Sequence, residues 1–267
     1  LNAMGRIHEE MRIFDKAEGF LLESLLTQPD QPKVIQHWVH LRQKQCKWPV
    51  YPTVKGIDKG ELQKWTSPLA MLSASDDPGM QLATAIRFVN EKVNMRVPTL
   101  THGNKLPFKG DRKLKLGFLS SDFCLHAVSL LTVELFELLD KSKFEVFGFC
   151  WSKEDGSYLR KRVTSAMDHL IRIVDMSDEE AARCIQAQGI DVLIDLQGIT
   201  SGARPNILSY RAAPIQMTYL GFPGTTGHPS IDYVIADKFL IPEDMKPYYT
   251  EQPFYMPDVY QCSDRQR

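Results

Sequence analysis

The sequence predicts an α/β fold in which a short helical region precedes a Rossmann-like, doubly wound and mostly parallel sheet. Three observations support this prediction. Apolar residues recur at helical spacing over 1–45. A connector over 46–111 begins with a stretch, 46–66, that is rich in Pro, Gly and aromatic residues. Over 112–267 short apolar runs alternate with helical stretches. Because parallel strands need crossover connections, this alternation is typical of a sheet covered by helices on both faces.

The first 45 residues predict three helices. Apolar positions fall on two helix faces, the first with Leu1, Met4, Ile7 and Met11 and the second with Ala17, Leu21, Ser24 and Leu25. Asp30 before Pro32 predicts the start of the third helix. Gly5, Ala17 and Pro29 match the small and apolar positions of a 34-residue helical repeat, so the region resembles a tetratricopeptide repeat. A generic helical hairpin is the alternative. One repeat does not bury its own faces, so we expect them to pack against neighbouring helices.

The remaining elements follow from apolar runs and their spacing. A helix in the connector is expected to begin at Asp77-Pro78, with an apolar stripe of Leu82, Ala85, Ile86 and Val89. Strands are expected at 114–119, 144–150, 170–174, 191–196, 215–220 and 232–236. Helices are expected between them at 128–139, 156–167, 178–188 and 203–210.

Composition excludes several classes of protein. The 32 Lys+Arg against 33 Asp+Glu give a net charge of -1, so no overall charge favours nucleic acid or an anionic membrane. No apolar run approaches the roughly 20 residues of a membrane helix. The five Cys are dispersed, which is typical of reduced thiols in a cytoplasmic protein and not of a disulfide frame or a zinc site.

The loops that follow the expected strands form the candidate site, because ligands of open α/β sheets bind beyond the carboxyl ends of the strands. His126 follows the first strand, where an imidazole can orient a proton or simply begin a helix. Asp195 ends the fourth strand and is expected to face the site. The segment 221–228 holds three Gly and one Pro, which suits either close approach of backbone amides to a ligand or a tight loop.

Other polar residues near these loops have simple structural interpretations. Asp122 suits a helix cap better than a role in the site. Arg204 suits a solvated helix start, with pairing to a phosphate or carboxylate of a ligand as the alternative. The run from Asp155 to Ser157 is interpreted as a turn and cap without chemistry. GxGxxG, GxxxxGK[ST], HExxH and GxSxG are all absent, which disfavours a nicotinamide oxidoreductase, a P-loop nucleotidase, a zinc protease and an α/β-hydrolase. The seven His form no recognisable metal cluster.

Three motifs carry a resemblance to a known family. The runs LGFLSSDFCLHAVSLL, GIDVLIDLQGITSGARP and, above all, AAPIQMTYLGFPGTTGHPSIDYVIAD resemble the O-GlcNAc transferase/SPINDLY family of glycosyltransferases. The resemblance implies a GT-B fold of two Rossmann-like lobes behind tetratricopeptide repeats. It also implies inverting, metal-independent transfer of a sugar, without a cofactor, from a nucleotide donor to Ser or Thr of a protein or peptide.

The resemblance also implies roles for particular residues. It maps the active-site His of the family onto His126, and it maps the loop beside the donor sugar onto Leu220, Gly221, Pro223, Gly224 and Thr225. Two positions depart from the pattern: Ala127 stands where the family often has Pro, and His228 stands where many members have a small residue. No residue is assigned as the general base.

The sequence is therefore expected to be a repeat end followed by the N-terminal catalytic lobe. The second lobe, which holds most of the nucleotide pocket in the family, is expected to be missing, so this chain alone is expected to transfer no sugar. UDP-GlcNAc is the expected donor, with GDP-fucose left open. The alternative to an enzyme is a non-catalytic, repeat-capped α/β module that binds proteins.

Overall fold

The computed structural model describes residues 1–101 and 112–266. The stretch 102–111, which belongs to the predicted connector, and residue 267 lie outside the described residues. The chain divides into two compact units, Leu1–Thr84 and Ala85–Arg267. The boundaries predicted near 45 and 111 stay predictions.

The first unit is helical, and helix α6 continues from it into the second unit. Its helices are α1 (Asn2–Glu10), α2 (Phe14–Thr27), α3 (Pro32–Lys44), α4 (Lys59–Lys64) and α5 (Pro68–Ala74), and α6 (Pro78–Lys92) crosses the boundary at Thr84. Helix α3 begins at Pro32 as predicted, although its N-cap is Gln31 and has no side-chain hydrogen bond. Asp77 caps α6, because its Oδ1 accepts the N–H of Gly79 at 2.8 Å.

The two predicted apolar faces differ in burial. Ala17, Leu21 and Leu25 are buried with Trp38 and Leu41 in the core of this unit. The face of Leu1, Met4, Ile7 and Met11 is exposed, so the expected packing of this face against neighbouring helices is not found among the described residues. The stripe of α6 also differs from the prediction, since Ala85 and Val89 are buried while Ile86 is exposed.

The second unit contains one seven-stranded sheet in which all the paired strands are parallel. The strands are β1 (Leu114–Ser120), β2 (Phe144–Cys150), β3 (His169–Arg172), β4 (Val192–Asp195), β5 (Ile215–Thr218), β6 (Tyr233–Ala236) and β7 (Gln252–Tyr255), in the order β3-β2-β1-β4-β5-β6-β7. Helices α7 (Ala127–Leu138), α8 (Tyr158–Ala166), α9 (Asp178–Ala187) and α10 (Asn206–Ser209) connect them. The predicted α/β fold class is confirmed.

The sheet is doubly wound because its strands are apolar on both faces. On one face, Phe118 of β1 packs with Phe136 of α7 and Val163 of α8. On the other face, Leu119, the next residue of β1, packs with Ile185 of α9. Successive side chains of a strand point to opposite faces, so one apolar run supplies both cores.

Strand β7 is the main element that the sequence prediction omits. It contains Pro253, and Pro within an apolar run argues against a central strand. The observed position explains the exception, because β7 pairs only with β6 among the described strands and lies at the edge of the sheet. An edge strand tolerates a residue that donates no hydrogen bond on its open side.

Replacing Gly5 by Ala should force α1 away from α2. A Cβ at Gly5 would lie 2.5 Å from Leu21 Cδ2, and Leu21 is buried. We expect the free energy of unfolding to fall by about 1–3 kcal/mol, as for other overpacked cores. Gly19→Ala is the matched control, because a Cβ there meets nothing within 4 Å. It should raise stability by about 0.5–1 kcal/mol. Urea denaturation of both variants checks this, and equal effects would contradict it.

Candidate active site

The chain reverses direction across the sheet between β1 and β4. Strand β1 lies between β2 and β4, and the connections of the chain leave β1 and β4 toward opposite edges of the sheet. Such a switch point opens a crevice at the carboxyl ends of the two strands. Strands β1, β4 and β5 are neighbouring and parallel, so their carboxyl ends lie side by side. His126 follows β1, Asp195 ends β4, and the segment 220–225 follows β5. All the predicted site residues therefore lie at the carboxyl end of the sheet.

His126 is the N-cap of α7. Its Nδ1 accepts the N–H of Val128 at 3.3 Å, and 47% of the side chain is exposed. A neutral imidazole whose Nδ1 accepts a hydrogen bond carries its proton on Nε2. Asp122 Oδ2 lies 3.5 Å from the same Nδ1. Among the described residues no side chain or backbone group bonds Nε2, so Nε2–H is the group that this ring offers to a ligand.

Three hydrogen bonds tie the loop after β1 to the loop after β2 and to helix α8. The N–H of Phe123 donates to Ser152 Oγ at 2.9 Å, and the N–H of Leu125 donates to Asp155 Oδ2 at 2.6 Å. Arg160 Nη1 donates to the carbonyl of Phe123 at 2.5 Å. Asp155 therefore does more than form a turn: it holds the backbone of the residue before His126.

Asp195 is buried and shapes the turn after β4. Its Oδ1 accepts the N–H of Gln197 at 3.2 Å, and its Oδ2 accepts the N–H of Gly198 at 2.7 Å. Burial raises the pKa of Asp195 to about 7, against the effect of these two hydrogen bonds. The predicted contact between Asp195 and a substrate stays a prediction; within the chain both oxygens bind backbone amides.

Two glycines allow the loops after β4 and β5 to pack directly on each other. A Cβ at Gly221 would lie 2.1 Å from the carbonyl oxygen of Leu196, and a Cβ at Gly198 would lie 2.6 Å from Phe222 Cβ. Leu220 has φ of 65°, a left-handed conformation that non-glycine residues adopt only under constraint. The glycines of this predicted site thus have a packing reason that is independent of any ligand.

Two backbone amides of the glycine-rich segment donate to carbonyls two residues earlier in the chain. Gly221 N–H donates to the carbonyl of Tyr219 and Gly224 N–H to the carbonyl of Phe222, at 2.9 and 3.0 Å. The cavity lined in part by Leu220, Pro223 and Gly224 has a volume of about 20 Å³, which suits a single water and not a sugar ring. The roles predicted for Leu220, Gly221, Pro223, Gly224 and Thr225 beside a donor sugar stay predictions.

Glu251 holds the far end of this segment, and the sequence analysis missed it. Only 2% of the residue is exposed. Its Oε2 accepts from Thr225 Oγ1 at 2.7 Å, and its Oε1 accepts from the N–H of Thr226 at 2.8 Å and from the Thr226 hydroxyl. The segment 225–226 is therefore fastened to the start of β7. No local sequence signal indicates this contact, because the partners are 26 residues apart.

Two further candidates have structural partners. Arg204 donates to Asp178 Oδ1 at 2.7 Å and to the carbonyls of Ile173 and Met176 at 2.8 and 2.7 Å. His228 is buried, and burial lowers its pKa to about 4. Its Nδ1 accepts the N–H of Ser230, and its Nε2 lies 3.1 Å from the carbonyl of Pro205. Arg204 and His228 thus bind within the chain.

The described residues contain no group of three His, Cys, Asp or Glu that could hold a metal ion. All five Cys are free thiols. Within 1–101 and 112–266, no helix is both long and apolar enough to cross a membrane.

Residues 81–267 match the sequence model of glycosyl transferase family 41. The chain belongs to this family. The match covers most of α6 and the whole sheet, so it includes every loop of the candidate site. The resemblance inferred from the three motifs is confirmed.

Similar family 41 proteins are much longer than this chain. This chain is 37% identical over 171 residues to SEC of Arabidopsis thaliana, a probable UDP-N-acetylglucosamine–peptide N-acetylglucosaminyltransferase. The alignment covers 63% of this chain and 18% of the relative. A Caenorhabditis elegans UDP-N-acetylglucosamine–peptide N-acetylglucosaminyltransferase is 33% identical over 166 residues, 62% of this chain and 14% of the relative. The chain thus spans less than a fifth of these relatives.

A solved structure shows the same fold. A mutant of the O-GlcNAc transferase of Thermobaculum terrenum superposes with a TM-score of 0.73 at 20% identity, and the superposition covers 97% of this chain and 51% of the solved chain. At this identity the likeness establishes the fold alone.

The raised pKa of Asp195 predicts a stability that falls as pH rises. Between about pH 4, the ordinary pKa of Asp, and pH 7 the unfolded chain loses a proton that folded Asp195 retains. Folding in this window takes up a proton, so rising pH opposes it by up to about 4 kcal/mol. Asp195→Asn should remove this contribution, which denaturation at pH 5 and pH 8 would detect.

Asp191, immediately before the first residue of β4, provides the control. Burial acts to raise its pKa, but the Arg112 guanidinium and the N–H of Lys115 outweigh burial and lower it. Asp191→Asn should therefore leave the slope between pH 5 and pH 8 unchanged. An unchanged slope in Asp195→Asn would show that Asp195 is ionised throughout this range.

Removing the Glu251 carboxylate should leave the Thr225 and Thr226 donors buried without an acceptor. We expect Glu251→Ala to lower the free energy of unfolding by about 3 kcal/mol. Glu243→Ala is the control, because Glu243 is exposed and pairs with Lys246 at the surface, where ion pairs contribute little. Equal urea midpoints for both variants would contradict the role of Glu251.

Proposed function

We propose that this chain forms the N-terminal lobe of a protein O-GlcNAc transferase, which transfers GlcNAc from UDP-GlcNAc to Ser or Thr of proteins. The observation that carries the proposal is the convergence of the loops after β1, β4 and β5 at the switch point of a family 41 sheet. The names of the relatives indicate the donor and a peptide acceptor.

The chemistry is a single displacement in which the acceptor hydroxyl attacks the anomeric carbon and UDP leaves. The bond from that carbon to the diphosphate breaks, and the hydroxyl proton passes to a base that is not assigned. Holding the two reactants in line supplies roughly 7–11 kcal/mol of the barrier reduction. The donor is a substrate, and the proposal requires no cofactor and no metal.

The tautomer of His126 limits its role in this reaction. With Nδ1 accepting the Val128 N–H, the neutral ring has a proton on Nε2 and acts as a hydrogen-bond donor. We infer that His126 orients or polarises an oxygen at the reacting centre and does not accept the hydroxyl proton. A preorganised donor of this kind stabilises charge that develops in the transition state.

The helical unit is proposed to be the end of a tetratricopeptide array. The close approach of α1 and α2 at Gly5, where a Cβ would overlap Leu21, supports this proposal. The free state of the five Cys supports a cytoplasmic location.

Replacing His126 tests the proposed role. The chain can be joined to the half of the Thermobaculum terrenum enzyme that it does not cover, and transfer from UDP-GlcNAc or GDP-fucose to a Ser/Thr peptide can then be measured. His126→Ala should lower kcat about 100-fold or more, as for the loss of one preorganised donor, with little change in Tm. His169→Ala is the control, because His169 is also half exposed but begins β3 and so lies at the amino end of the strands, away from the candidate site.

An equal loss of turnover and Tm in His126→Ala would indicate a structural histidine instead. Transfer from GDP-fucose alone would contradict the proposed donor. Peptide binding without any turnover would favour the non-catalytic binding module.

A further inference from the structure

The side chain of Gln197 joins the two loops that bound the switch point. Only 1% of the residue is exposed. Its Oε1 accepts the N–H of Ser121 at 3.2 Å, and its Nε2 donates to Ser121 Oγ at 2.5 Å. Both polar atoms of one amide therefore bind one residue of the loop after β1, although Gln197 belongs to the loop after β4.

This contact directs the Ser121 hydroxyl toward Asp122. Because Ser121 Oγ accepts a hydrogen bond from Gln197, its own proton is free to be donated, and it donates to Asp122 Oδ1 at 2.9 Å. Asp122 Oδ2 then lies 3.5 Å from His126 Nδ1, which is beyond the usual hydrogen-bond distance. Hydrogen bonds thus link buried Gln197 through Ser121 to Asp122, and the second oxygen of Asp122 stops short of the half-exposed imidazole.

Gln197 is suited to be the fixed end of this chain. Its N–H binds the buried Asp195, and its carbonyl accepts from Thr200 Oγ1 at 3.1 Å. Its Cα lies against Gly221, where any Cβ would approach it to 2.5 Å. The backbone of Gln197 is therefore held from both sides, and its amide reaches across the crevice from a fixed position.

Asp122 and Val128 compete for the same nitrogen of His126. The Val128 N–H requires a lone pair on Nδ1, whereas a carboxylate in contact would favour a proton there, since charge-assisted hydrogen bonds are stronger. The distance of 3.5 Å leaves the Val128 contact as the hydrogen bond that forms. What restrains Asp122 thus decides which nitrogen carries the proton.

We propose that Gln197 is a positioning residue for His126: through Ser121 it holds the Asp122 carboxylate away from Nδ1 and so keeps the imidazole proton on Nε2. The catalytic consequence rests on the proposed function, because Nε2–H is the donor assigned to the reaction. The effect on the tautomer does not rest on it.

The tautomer can be read directly by ¹⁵N NMR of the His126 ring in the intact chain. The signal is assigned by its loss in His126→Ala, and spectra are recorded near pH 8.5, above the ordinary His pKa of about 6.5. Gln197→Met conserves the volume of the side chain but removes its donor and acceptor. We expect the Nδ1 resonance to shift from the unprotonated toward the protonated position as Asp122 closes on it.

Two variants separate this effect from loss of packing. Ser121→Ala removes only the hydroxyl between Gln197 and Asp122, and it should shift the Nδ1 resonance in the same direction as Gln197→Met. Gln216→Met is the matched control, because Gln216 is also a buried amide, donating to the carbonyls of Leu208 and Ser230, and it does not contact the loop after β1. It should leave the His126 signal unchanged.

A double variant tests whether the Asp122 carboxylate causes the shift of the Nδ1 resonance. Adding Asp122→Asn to Gln197→Met removes the carboxylate and should restore the unprotonated Nδ1 signal. Unshifted signals in both Gln197→Met and Ser121→Ala would overturn the proposal, as would a shift of equal size in Gln216→Met. A shift that persists in the double variant would also overturn it.

Kinetics of the joined enzyme distinguish this proposal from the proposed function. Gln197→Met should lower kcat by less than the roughly 100-fold expected for full loss of the His126 donor, and should leave KM for the peptide unchanged. If the tautomer shifts while kcat stays the same, the positioning role holds and the assigned role of His126 in transfer is wrong.

Discussion

The contact between the loops after β4 and β5 is the constraint on which the rest of the site depends. Position 221 must lack a Cβ, because that atom would lie 2.1 Å from the Leu196 carbonyl oxygen. Leu220, the preceding residue, has a left-handed backbone conformation, with φ of 65°. The same contact lies against the Cα of Gln197 and so holds the residue that reaches over to the loop after β1.

Buried carboxylates shape the backbone at this edge of the sheet. Asp195 turns the chain after β4, and Glu251 fastens the segment after β5, each by accepting N–H or O–H donors. No cation is paired with either carboxylate among the described residues, in contrast to Asp191, which binds Arg112. Burying a carboxyl group costs free energy unless hydrogen bonds compensate it. The backbone amides and hydroxyls that donate to Asp195 and Glu251 must therefore stay in place, which restrains the loops that carry them.

These contacts leave the imidazole of His126 half exposed and hold the backbone on both sides of it. The ring of His126 caps α7, the preceding backbone is held by Asp155, and the facing loop is held through Gln197. A group that must donate a hydrogen bond to a reacting atom benefits from this arrangement, because little reorganisation remains when the substrate binds. The fold of family 41 thus supplies both the crevice, by strand order, and the orientation of its polar groups, by loop packing.

The sequence by itself determined the element pattern and the edge of the sheet at which the candidate site lies. Strands β1 to β6, the helices between them and the place of His126 follow from periodicity and from chain order, which are local signals. Tertiary structure alone decided which side chains hold the site together. Gln197 meets Ser121 across 76 positions, and Asp155 meets Leu125 across 30. The exposure of the Met4 and Ile7 face and the edge position of β7 were likewise decided by packing. These contacts depend on which strands become neighbours, and no local spacing in the chain encodes that choice.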